Sequence, residues 1–182
     1  ICSGLVGSEM CIRDSLQADY TVHKGTCIKH QVHELSDIHN RFGGMPNSYV
    51  LENTTIHQLW WEDGSIDYKT IGDQLGMEVV TVSSILQPPG NMIPLHRDTF
   101  YQINKKFPTD TRTKVRANVY LEDWKTGHFL QYGDKVMTHW KANQGLLWDS
   151  SIEHLGVNAG MENKYTLQTV SYTHLTLPTT RL

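Results

Sequence analysis

Two histidines and one aspartate have the residue types and the spacing of metal ligands. His96 and Asp98 are separated by a single residue in the segment IPLHRD. Because residues i and i+2 of an extended strand point to the same face, this imidazole and this carboxylate can converge on one ion. A third candidate, His154, ends the segment WDSSIEH. Two histidines and one carboxylate occupy one face of an octahedral Fe(II) and leave three coordination positions open, and no soft thiolate belongs to the set.

Lys164 supplies a positive charge close in sequence to the last of these residues. It lies ten residues after His154 and precedes YTLQTV at 165–170, which has the composition of a strand. A lysine there can pair with the far carboxylate of a dicarboxylate that chelates the metal. Thr166 shares a face of that strand with Lys164, so its hydroxyl can donate to the same carboxylate. The alternative is a solvated lysine in a turn.

Short strand-like runs dominate the chain around these residues. Met77–Gln87 is dense in Val, Thr, Ser and Ile, and Pro88-Pro89-Gly90 ends it. Gly133-Asp134 fits a two-residue hairpin loop with glycine at a position of positive φ. Further strands are expected at Met92–Leu95, Lys114–Leu121, Phe129–Tyr132, Lys135–His139, Gln144–Trp148 and Tyr165–Val170. Many short strands at this spacing predict a mainly β fold of two sheets, a jelly roll.

A helix is expected to support the sheets. Residues 67–75 (DYKTIGDQL) have helical character, with the aspartate as the N-terminal cap and Gly76 just past the end. Residues 16–58 are polar and rich in histidine, and we expect loops, short strands and one short helix there. Of the adjacent Trp60 and Trp61, at least one should pack in the core.

Composition limits the class of protein. The chain has 182 residues, which suits one domain, and 38% of them are hydrophobic. Sixteen Lys and Arg against nineteen Asp and Glu give a net charge of −3, so we expect no nucleic-acid partner. No apolar run approaches the ~18 residues of a membrane span, so we expect no membrane partner. Cys2, Cys11 and Cys27 form no disulfide framework and favour a reducing, cytoplasmic compartment.

Both ends of the chain look foreign to this pattern. Residues 1–15 have neither helical nor strand periodicity, and residues 171–182 are rich in Thr and Leu without a clear role. Both strings resemble translated sequencing adapters, and the alternative is a natural disordered tail at each end. We therefore expect one jelly-roll domain over residues 16–170, between two non-native tails.

A family resemblance rests on longer segments. The order and spacing of the two histidines, the aspartate and the lysine resemble those of Fe(II)/2-oxoglutarate-dependent oxygenases. A narrower resemblance, to the aspartyl/asparaginyl β-hydroxylase group that includes hydroxylases of free proline, rests on SILQPPGNMIPLH at 84–96, RANVYL at 116–121 and WDSSIEHLGVN at 148–158. It covers residues 77–170 and implies a double-stranded β-helix, the cupin-like form of the jelly roll, with supporting helices.

The resemblance implies an iron site and a co-substrate site. His96, Asp98 and His154 would bind Fe(II), and they would be the catalytic residues. Lys164 would hold the distal carboxylate of the co-substrate 2-oxoglutarate, with Thr166 beside it. O2 would be the second co-substrate, and ascorbate a supporting reductant.

Three further residues match positions that help to hold 2-oxoglutarate in this group. Ser84 lies upstream of the first iron ligand, and Arg116 lies on the strand that follows it. Asn118 stands where members of the group often have a histidine, so it keeps a hydrogen-bond donor but carries no charge.

The resemblance implies a dioxygenase that hydroxylates an unactivated C–H bond of an amino acid or peptidyl side chain, with release of succinate and CO2. The expected substrate is a small molecule or a peptide. Two alternatives stay open. One is a non-catalytic jelly-roll binding module in which the histidines are incidental, and the other is a cupin-type metal enzyme that does not use 2-oxoglutarate. Lys164 favours 2-oxoglutarate, because a cupin needs no cation ten residues past its last histidine.

Overall fold

The computed structural model describes residues 14–23, 41, 54–62 and 64–173. Cys2, Cys11 and Cys27 lie outside these residues, as do most of the two expected tails and most of the histidine-rich segment. The predictions about the origin of the tails therefore stay predictions.

Ten strands and two helices carry the labels used below. The strands are β1 (Thr21–His23), β2 (Ile56–Trp60), β3 (Met77–Gln87), β4 (Met92–His96), β5 (Lys114–Tyr120), β6 (His128–Tyr132), β7 (Lys135–Met137), β8 (Gly145–Trp148), β9 (His154–Asn158) and β10 (Lys164–Thr173). The helices are α1 (Tyr68–Leu75) and α2 (Tyr101–Lys106). The strands form a six-stranded sheet in the order β1-β2-β3-β10-β5-β8 and a four-stranded sheet in the order β4-β9-β6-β7.

The centre of the larger sheet consists of two long antiparallel strands. β10 pairs with β3 along its whole length, with Lys164 opposite Gln87 at one end and Thr173 opposite Met77 at the other. The register shifts between Val170 and Ser171, which marks a bulge. β10 also pairs with β5 on its other side. This register aligns the alternate residues of three strands on each face of the sheet.

The outer face of the larger sheet packs against α1. Ile71 of α1 lies in one apolar cluster with Val82 of β3 and Leu167 of β10. Asp67 caps the helix by accepting from the backbone N–H of Lys69 at 2.9 Å. The left-handed backbone of Gly76, with φ of 65°, ends it, as the sequence predicts.

The two adjacent tryptophans face different surroundings. Trp61 is buried in the cluster beneath α1, whereas Trp60 is 41% exposed and lies at the rim of the cavity between the sheets. The prediction that at least one of the pair packs in the core is confirmed.

The strand predictions hold with small changes of boundary. Met77–Gln87 is a strand over the predicted residues, and Gly133 has the expected positive φ of 56° in the β6–β7 hairpin. The predicted strand Lys135–His139 ends at Met137. Helix α2 and strand β9 were not expected, and both border the cavity.

The folded region extends past the expected limits of residues 16 and 170. β10 continues through Ser171 and Tyr172 to Thr173, and Tyr172 is buried against Phe100. At the other end the Ser15 side chain is fully buried. Ser15 and the last three residues of β10 thus belong to the packed structure although they lie outside residues 16–170.

The described structure is mainly β and consists of two antiparallel sheets with a cavity between them. This arrangement confirms the predicted fold class, a jelly roll of the double-stranded β-helix type. Within the described part of the chain, no helix is long and apolar enough to span a membrane.

Candidate active site

The three predicted metal ligands converge at the ends of two paired strands. His96 ends β4 and is the cross-strand partner of His154, which begins β9. Asp98 follows β4 by two residues. One ligand atom from each residue lies within 4.8 Å of the other two, and His154 Nε2 is 3.8 Å from Asp98 Oδ2. A bound ion with ligand bonds of ~2 Å would draw these atoms to roughly 3 Å, so a small contraction suffices.

Main-chain carbonyls fix the orientation of both imidazoles. His96 Nδ1 lies 2.7 Å from the Pro94 carbonyl oxygen, and His154 Nδ1 lies 3.1 Å from that of Ile152. Because a carbonyl only accepts, each Nδ1 carries the proton, and each Nε2 keeps a lone pair for a metal. Burial lowers the pKa of His96. Burial is also the main reason why the pKa of His154 is lowered to about 3. Both rings are therefore neutral at neutral pH, as metal binding requires.

Asp98 is a buried carboxylate held by two donors. Arg116 Nε donates to its Oδ2 at 2.6 Å, and Trp148 Nε1 donates to the same oxygen at 2.7 Å. Burial by itself would raise the pKa of Asp98. The positive charge of Arg116 and its hydrogen bond hold that pKa well below its usual range. Asp98 is therefore ionised at neutral pH.

A line of hydrogen bonds leads from Asp98 across the floor of the cavity. Arg116 Nη1 donates to Gln168 Oε1 at 2.9 Å, and Gln168 Nε2 donates to Asn118 Oδ1 at 3.1 Å. The line stops at Asn118 Nδ2, which is buried and has no hydrogen-bond partner among the residues described. A buried donor without an acceptor is costly, and this atom is also closed off from solvent, so it is an unsatisfied group beside the cavity.

Lys164 lies at the other end of the cavity and is only 3% exposed. Its Nζ donates to the Phe129 carbonyl at 3.0 Å and to the Val157 carbonyl at 3.5 Å, and it lies 5.7 Å from the centroid of the Trp140 ring. Burial lowers the pKa of Lys164 to about 7. No carboxylate within residues 54–62 and 64–173 forms an ion pair with this amine. The lysine is thus a buried amine that is protonated below about pH 7 and has no acidic partner among the described residues.

Gly156 keeps the space between the metal ligands and Lys164 open. It lies two residues after His154 on β9, which corresponds to about 7 Å along the strand. A Cβ atom at this position would lie 3.3 Å from Gln87 Oε1 and 3.7 Å from Lys164 Nζ. Sequence reasoning missed this residue, although a glycine inside a strand is a recognised sign of a close approach.

The cavity between the sheets has a volume of about 870 Å³. Its lining includes seven of the eight predicted site residues: His96, Asp98, His154, Lys164, Arg116, Asn118 and Thr166. Exposed residues mark its mouth, among them Trp60, Tyr101 and Lys105. Phe100 and Ile103, both buried, close part of the wall beside the mouth.

The eighth predicted site residue, Ser84, lies elsewhere. Its side chain faces the outer side of β3, where Ser84 Oγ is 2.8 Å from Ser15 Oγ and accepts from Trp61 Nε1 at 2.8 Å. The interpretation of Ser84 as a co-substrate ligand is therefore corrected to a structural role. Arg116 lines the cavity and contacts Asp98 at its metal end, and its predicted contact with 2-oxoglutarate stays a prediction.

Comparison with protein families and with curated protein sequences finds no match. Solved structures do resemble the chain. A prolyl-4-hydroxylase from Pseudomonas putida is 16% identical with a TM-score of 0.50, covering 90% of this chain and 97% of that one. The nickel complex of the non-heme monooxygenase ThoJ is 17% identical with a TM-score of 0.42, covering 58% of this chain and 49% of that one.

The cupin domain of an XRE-family transcriptional regulator from Enterobacter cloacae is 10% identical with a TM-score of 0.41, covering 65% of this chain and 98% of that one. At these identities the likeness concerns the fold. Together with the site geometry, it defines the class: a double-stranded β-helix protein with a cluster of two histidines and one carboxylate inside its cavity.

Proposed function

We propose that this protein is an Fe(II)- and 2-oxoglutarate-dependent dioxygenase that hydroxylates an unactivated C–H bond of an amino acid or peptidyl side chain. The observation that carries the proposal is the distribution of charge in one cavity. The triad of His96, Asp98 and His154 faces the same space as the buried cation Lys164, which has no acidic partner among the described residues.

The donor set fits Fe(II). Two neutral imidazoles and one ionised carboxylate are the ligands of a facial triad, which leaves three positions for exogenous ligands. The fixed Nδ1 protons of His96 and His154 leave both Nε2 atoms available. The three ligand atoms need to move by only about an ångström to reach bonding distance.

The rest of the cavity fits a short dicarboxylate. Lys164 offers a buried ammonium to its distal carboxylate, and Thr166 lies on the same face of β10. Gly156, which has no side chain, lies on β9 between His154 and the Lys164 end of the cavity.

Fe(II) with 2-oxoglutarate and O2 supplies the oxidising power for this reaction, in which a C–H bond becomes C–OH and 2-oxoglutarate becomes succinate and CO2. The protein's own residues bind and orient. Lys164 and Thr166 would hold the distal carboxylate of the co-substrate and leave its 2-oxo acid end for the triad. Phe100 and Ile103 reduce the access of water to the reacting centre.

The substrate enters from the mouth of the cavity, because Lys164 and Trp140 close the opposite end. The expected substrate is a small molecule or a peptide whose target carbon reaches the open side of the triad. A cupin-type metal enzyme that does not use 2-oxoglutarate would have no need for the buried ammonium of Lys164.

The test measures succinate formation by the purified protein with Fe(II), ascorbate and 2-oxoglutarate, with and without a panel of amino acids and short peptides. We expect Fe(II)-dependent succinate formation that increases when a substrate is present. The His154→Ala variant is the matched control, because it removes one metal ligand and leaves the Lys164 end intact.

Binding is measured separately, by titrating 2-oxoglutarate into the Fe(II)-loaded protein without O2. A protein that binds Fe(II) but not 2-oxoglutarate would contradict the proposal and favour the cupin-type alternative. A protein that binds neither would favour a non-catalytic binding module.

A further inference from the structure

We propose that helix α2, at the mouth of the cavity, selects a substrate that carries an anionic group on an apolar segment, several bonds away from the carbon that reacts. Lys105 and Lys106 bind the anionic group, and Trp60 and Tyr101 flank the apolar segment. This inference rests on the proposed function, because it names the substrate class of that same site.

One face of α2 borders the mouth. Tyr101, Gln102, Lys105 and Lys106 all line the cavity, and each is exposed. Because residues four apart on a helix are neighbours on its surface, Tyr101 lies next to Lys105, and Gln102 lies next to Lys106. Ile103 is buried and packs in an apolar cluster, which anchors the helix. The helix therefore presents two ammonium groups and one aromatic ring at the mouth.

The cavity as a whole has an excess of positive side chains. Its charged lining residues are four bases and two acids: Lys105, Lys106, Arg116, Lys164, Glu62 and Asp98. The charges of the proposed Fe(II) and 2-oxoglutarate cancel, so this excess remains when both are bound. The whole chain, by contrast, has a net charge of −3. The cavity therefore favours an anionic substrate against the average charge of the molecule.

The two lysines of α2 are available to a ligand. Neither forms an ion pair with an acidic side chain in the part of the chain that the structure describes. Lys106 Nζ lies 5.6 Å from the centroid of the Phe107 ring, a contact that leaves its N–H groups open. Lys69 on α1 differs, because it is paired with Asp73 at 2.6 Å.

Apolar surface lies between the mouth and the triad. Trp60 and Tyr101 stay 41% and 44% exposed at the rim, although both have large rings. Ile93, Phe100 and Leu130 line the cavity further in. Exposed apolar surface that continues into a cavity is typical of a binding site. A ligand that enters here therefore meets apolar walls beyond the charged helix.

The cavity has room for more than a free amino acid beside the co-substrate. Its volume of about 870 Å³ lies near the upper end of the ~300–1,000 Å³ of sites that enclose drug-sized ligands, and 2-oxoglutarate is much smaller than such a ligand. The lysines are exposed, whereas Asp98 and His154 are buried. A substrate that reaches from the lysines to the triad is therefore elongated.

Helix stabilisation is the competing explanation for the lysines. Lys105 and Lys106 occupy the last turn of α2, where basic side chains interact favourably with the free carbonyl groups. In that case their removal changes the stability of the helix and has no effect that depends on the charge of a ligand. Two ligands of the same shape, one charged and one neutral, separate the explanations.

The experiment measures the binding of two fluorescent probes in the presence of Zn(II) and 2-oxoglutarate. Anilinonaphthalene sulfonate has one anionic group on an apolar frame, and phenylnaphthylamine has the same frame without the charge. The test variant is Lys105→Ala with Lys106→Ala, and Lys105→Arg with Lys106→Arg restores the charge. Lys69→Ala with Lys135→Ala is the matched control, since it removes the same charge outside the cavity. Thermal unfolding checks that each variant folds.

We expect the Lys105→Ala, Lys106→Ala variant to bind the anionic probe about fivefold more weakly, because two exposed charge contacts are lost, and to bind the neutral probe as the wild type does. The arginine variant should restore the affinity. Added salt should weaken the anionic probe more in the wild type than in the alanine variant. Trp60→Ala should weaken both probes.

A competition arm links the probe to a carboxylate. N-acetyl-leucyl-phenylalanine should displace the anionic probe from the wild type more effectively than its C-terminal amide does, and the alanine variant should lose this preference. Equal displacement by the acid and the amide in the wild type would contradict a substrate anion at α2.

An equal loss of both probes in the lysine variant, or the same loss in the Lys69→Ala, Lys135→Ala control, would overturn the inference. Succinate formation by the same protein would then leave the proposed function standing. Lysine-dependent binding of the anionic probe by a protein that binds no 2-oxoglutarate would support the anion site and contradict the proposed function.

Discussion

The two ends of the cavity treat buried charge in opposite ways. At the metal end, the carboxylate of Asp98 has the guanidinium of Arg116 beside it and an indole N–H on the same oxygen. At the far end, the ammonium of Lys164 donates to two main-chain carbonyls, and no acidic side chain in the described ranges pairs with it. The protein therefore supplies a counter-charge for Asp98, whereas the described residues supply none for Lys164.

This difference indicates which end selects its ligand by charge. An unpaired buried ammonium is costly, and a ligand carboxylate that reaches it removes that cost and gains a charge-assisted hydrogen bond. At the metal end Arg116 balances the charge of Asp98, so a metal there would be bound by coordination to two imidazoles and the carboxylate. The cavity is thus arranged for a metal at one end and an anionic group at the other.

The largest effect is expected from removing a metal ligand. His154→Ala should abolish Fe(II) binding and turnover, with a loss well above the ~10–100-fold that follows from changing a residue next to a ligand. Metal content after dialysis and succinate formation measure the two effects. Retention of stoichiometric Fe(II) in this variant would contradict the assignment of the triad.

Removing the cation at the far end should affect 2-oxoglutarate binding but not metal binding. Lys164→Ala should raise the KM for 2-oxoglutarate roughly 30-fold or more, because one buried charge-assisted contact contributes about 2–4 kcal/mol. Fe(II) affinity should be nearly unchanged. Arg116→Ala is the matched comparison at the metal end, and it should disturb the metal more than the 2-oxoglutarate contact. The reverse pattern would place the anchor at Arg116.

Adding a side chain at Gly156 should weaken the binding of 2-oxoglutarate and leave the binding of Fe(II) unchanged. Gly156→Ala introduces a Cβ atom close to Gln87 Oε1 and Lys164 Nζ, and we expect about tenfold weaker binding of 2-oxoglutarate. Fe(II) binding by the same variant is the internal control. Unchanged 2-oxoglutarate affinity would show that the co-substrate takes another path through the cavity.

The smallest effect is expected from pH. Burial lowers the pKa of Lys164 to about 7, so the free protein loses the ammonium as pH rises through 7, while a bound carboxylate requires it. The Kd for 2-oxoglutarate should therefore be lowest below pH 7 and should rise about fivefold between pH 7 and pH 8. Lys164→Arg keeps its charge throughout this range and should remove the dependence, as isothermal titration can test.

Much of the metal end follows from local sequence. His96 and Asp98 are two residues apart, so the period of an extended chain is enough to bring them together. The strand that begins at Lys164 also has a clear pattern, and the alternate residues Thr166 and Gln168 line the same cavity. His154 joins His96 and Asp98 because β4 pairs with β9, a pairing that sequence order suggests but does not determine.

The errors come from properties that depend on register and on distant contacts. In the register of β3 with β10, Gln87 lies opposite Lys164, and Gln87 and Ile85 line the cavity. Because side chains alternate along a strand, Ser84 faces the outer side of β3. A strand with polar residues on both faces does not reveal this choice in its sequence. The partner of Arg116 likewise depends on how the loop after β4 folds back to present Asp98.

Helix α2 was missed for a different reason. It is only six residues long. Phe100, which precedes it, has a positive φ of 51° and makes no side-chain capping hydrogen bond. Ile103 and Phe100 pack against Val170 and Tyr172 of β10, and this contact stabilises a segment whose own sequence gives little sign of a helix. The same contact explains why β10 extends past Val170.

The contact between Trp148 and Asp98 also gives the site an optical signal of its own. Trp148 is one of five tryptophans, and its indole lies against both a proposed iron ligand and the carboxylate of another. Paramagnetic ions such as Fe(II) or Co(II) quench the emission of an indole at this range, so occupancy of the site can be followed by fluorescence without a label. The part of the quenching that disappears in Trp148→Phe reports on this site alone, free of the signal from the other four rings.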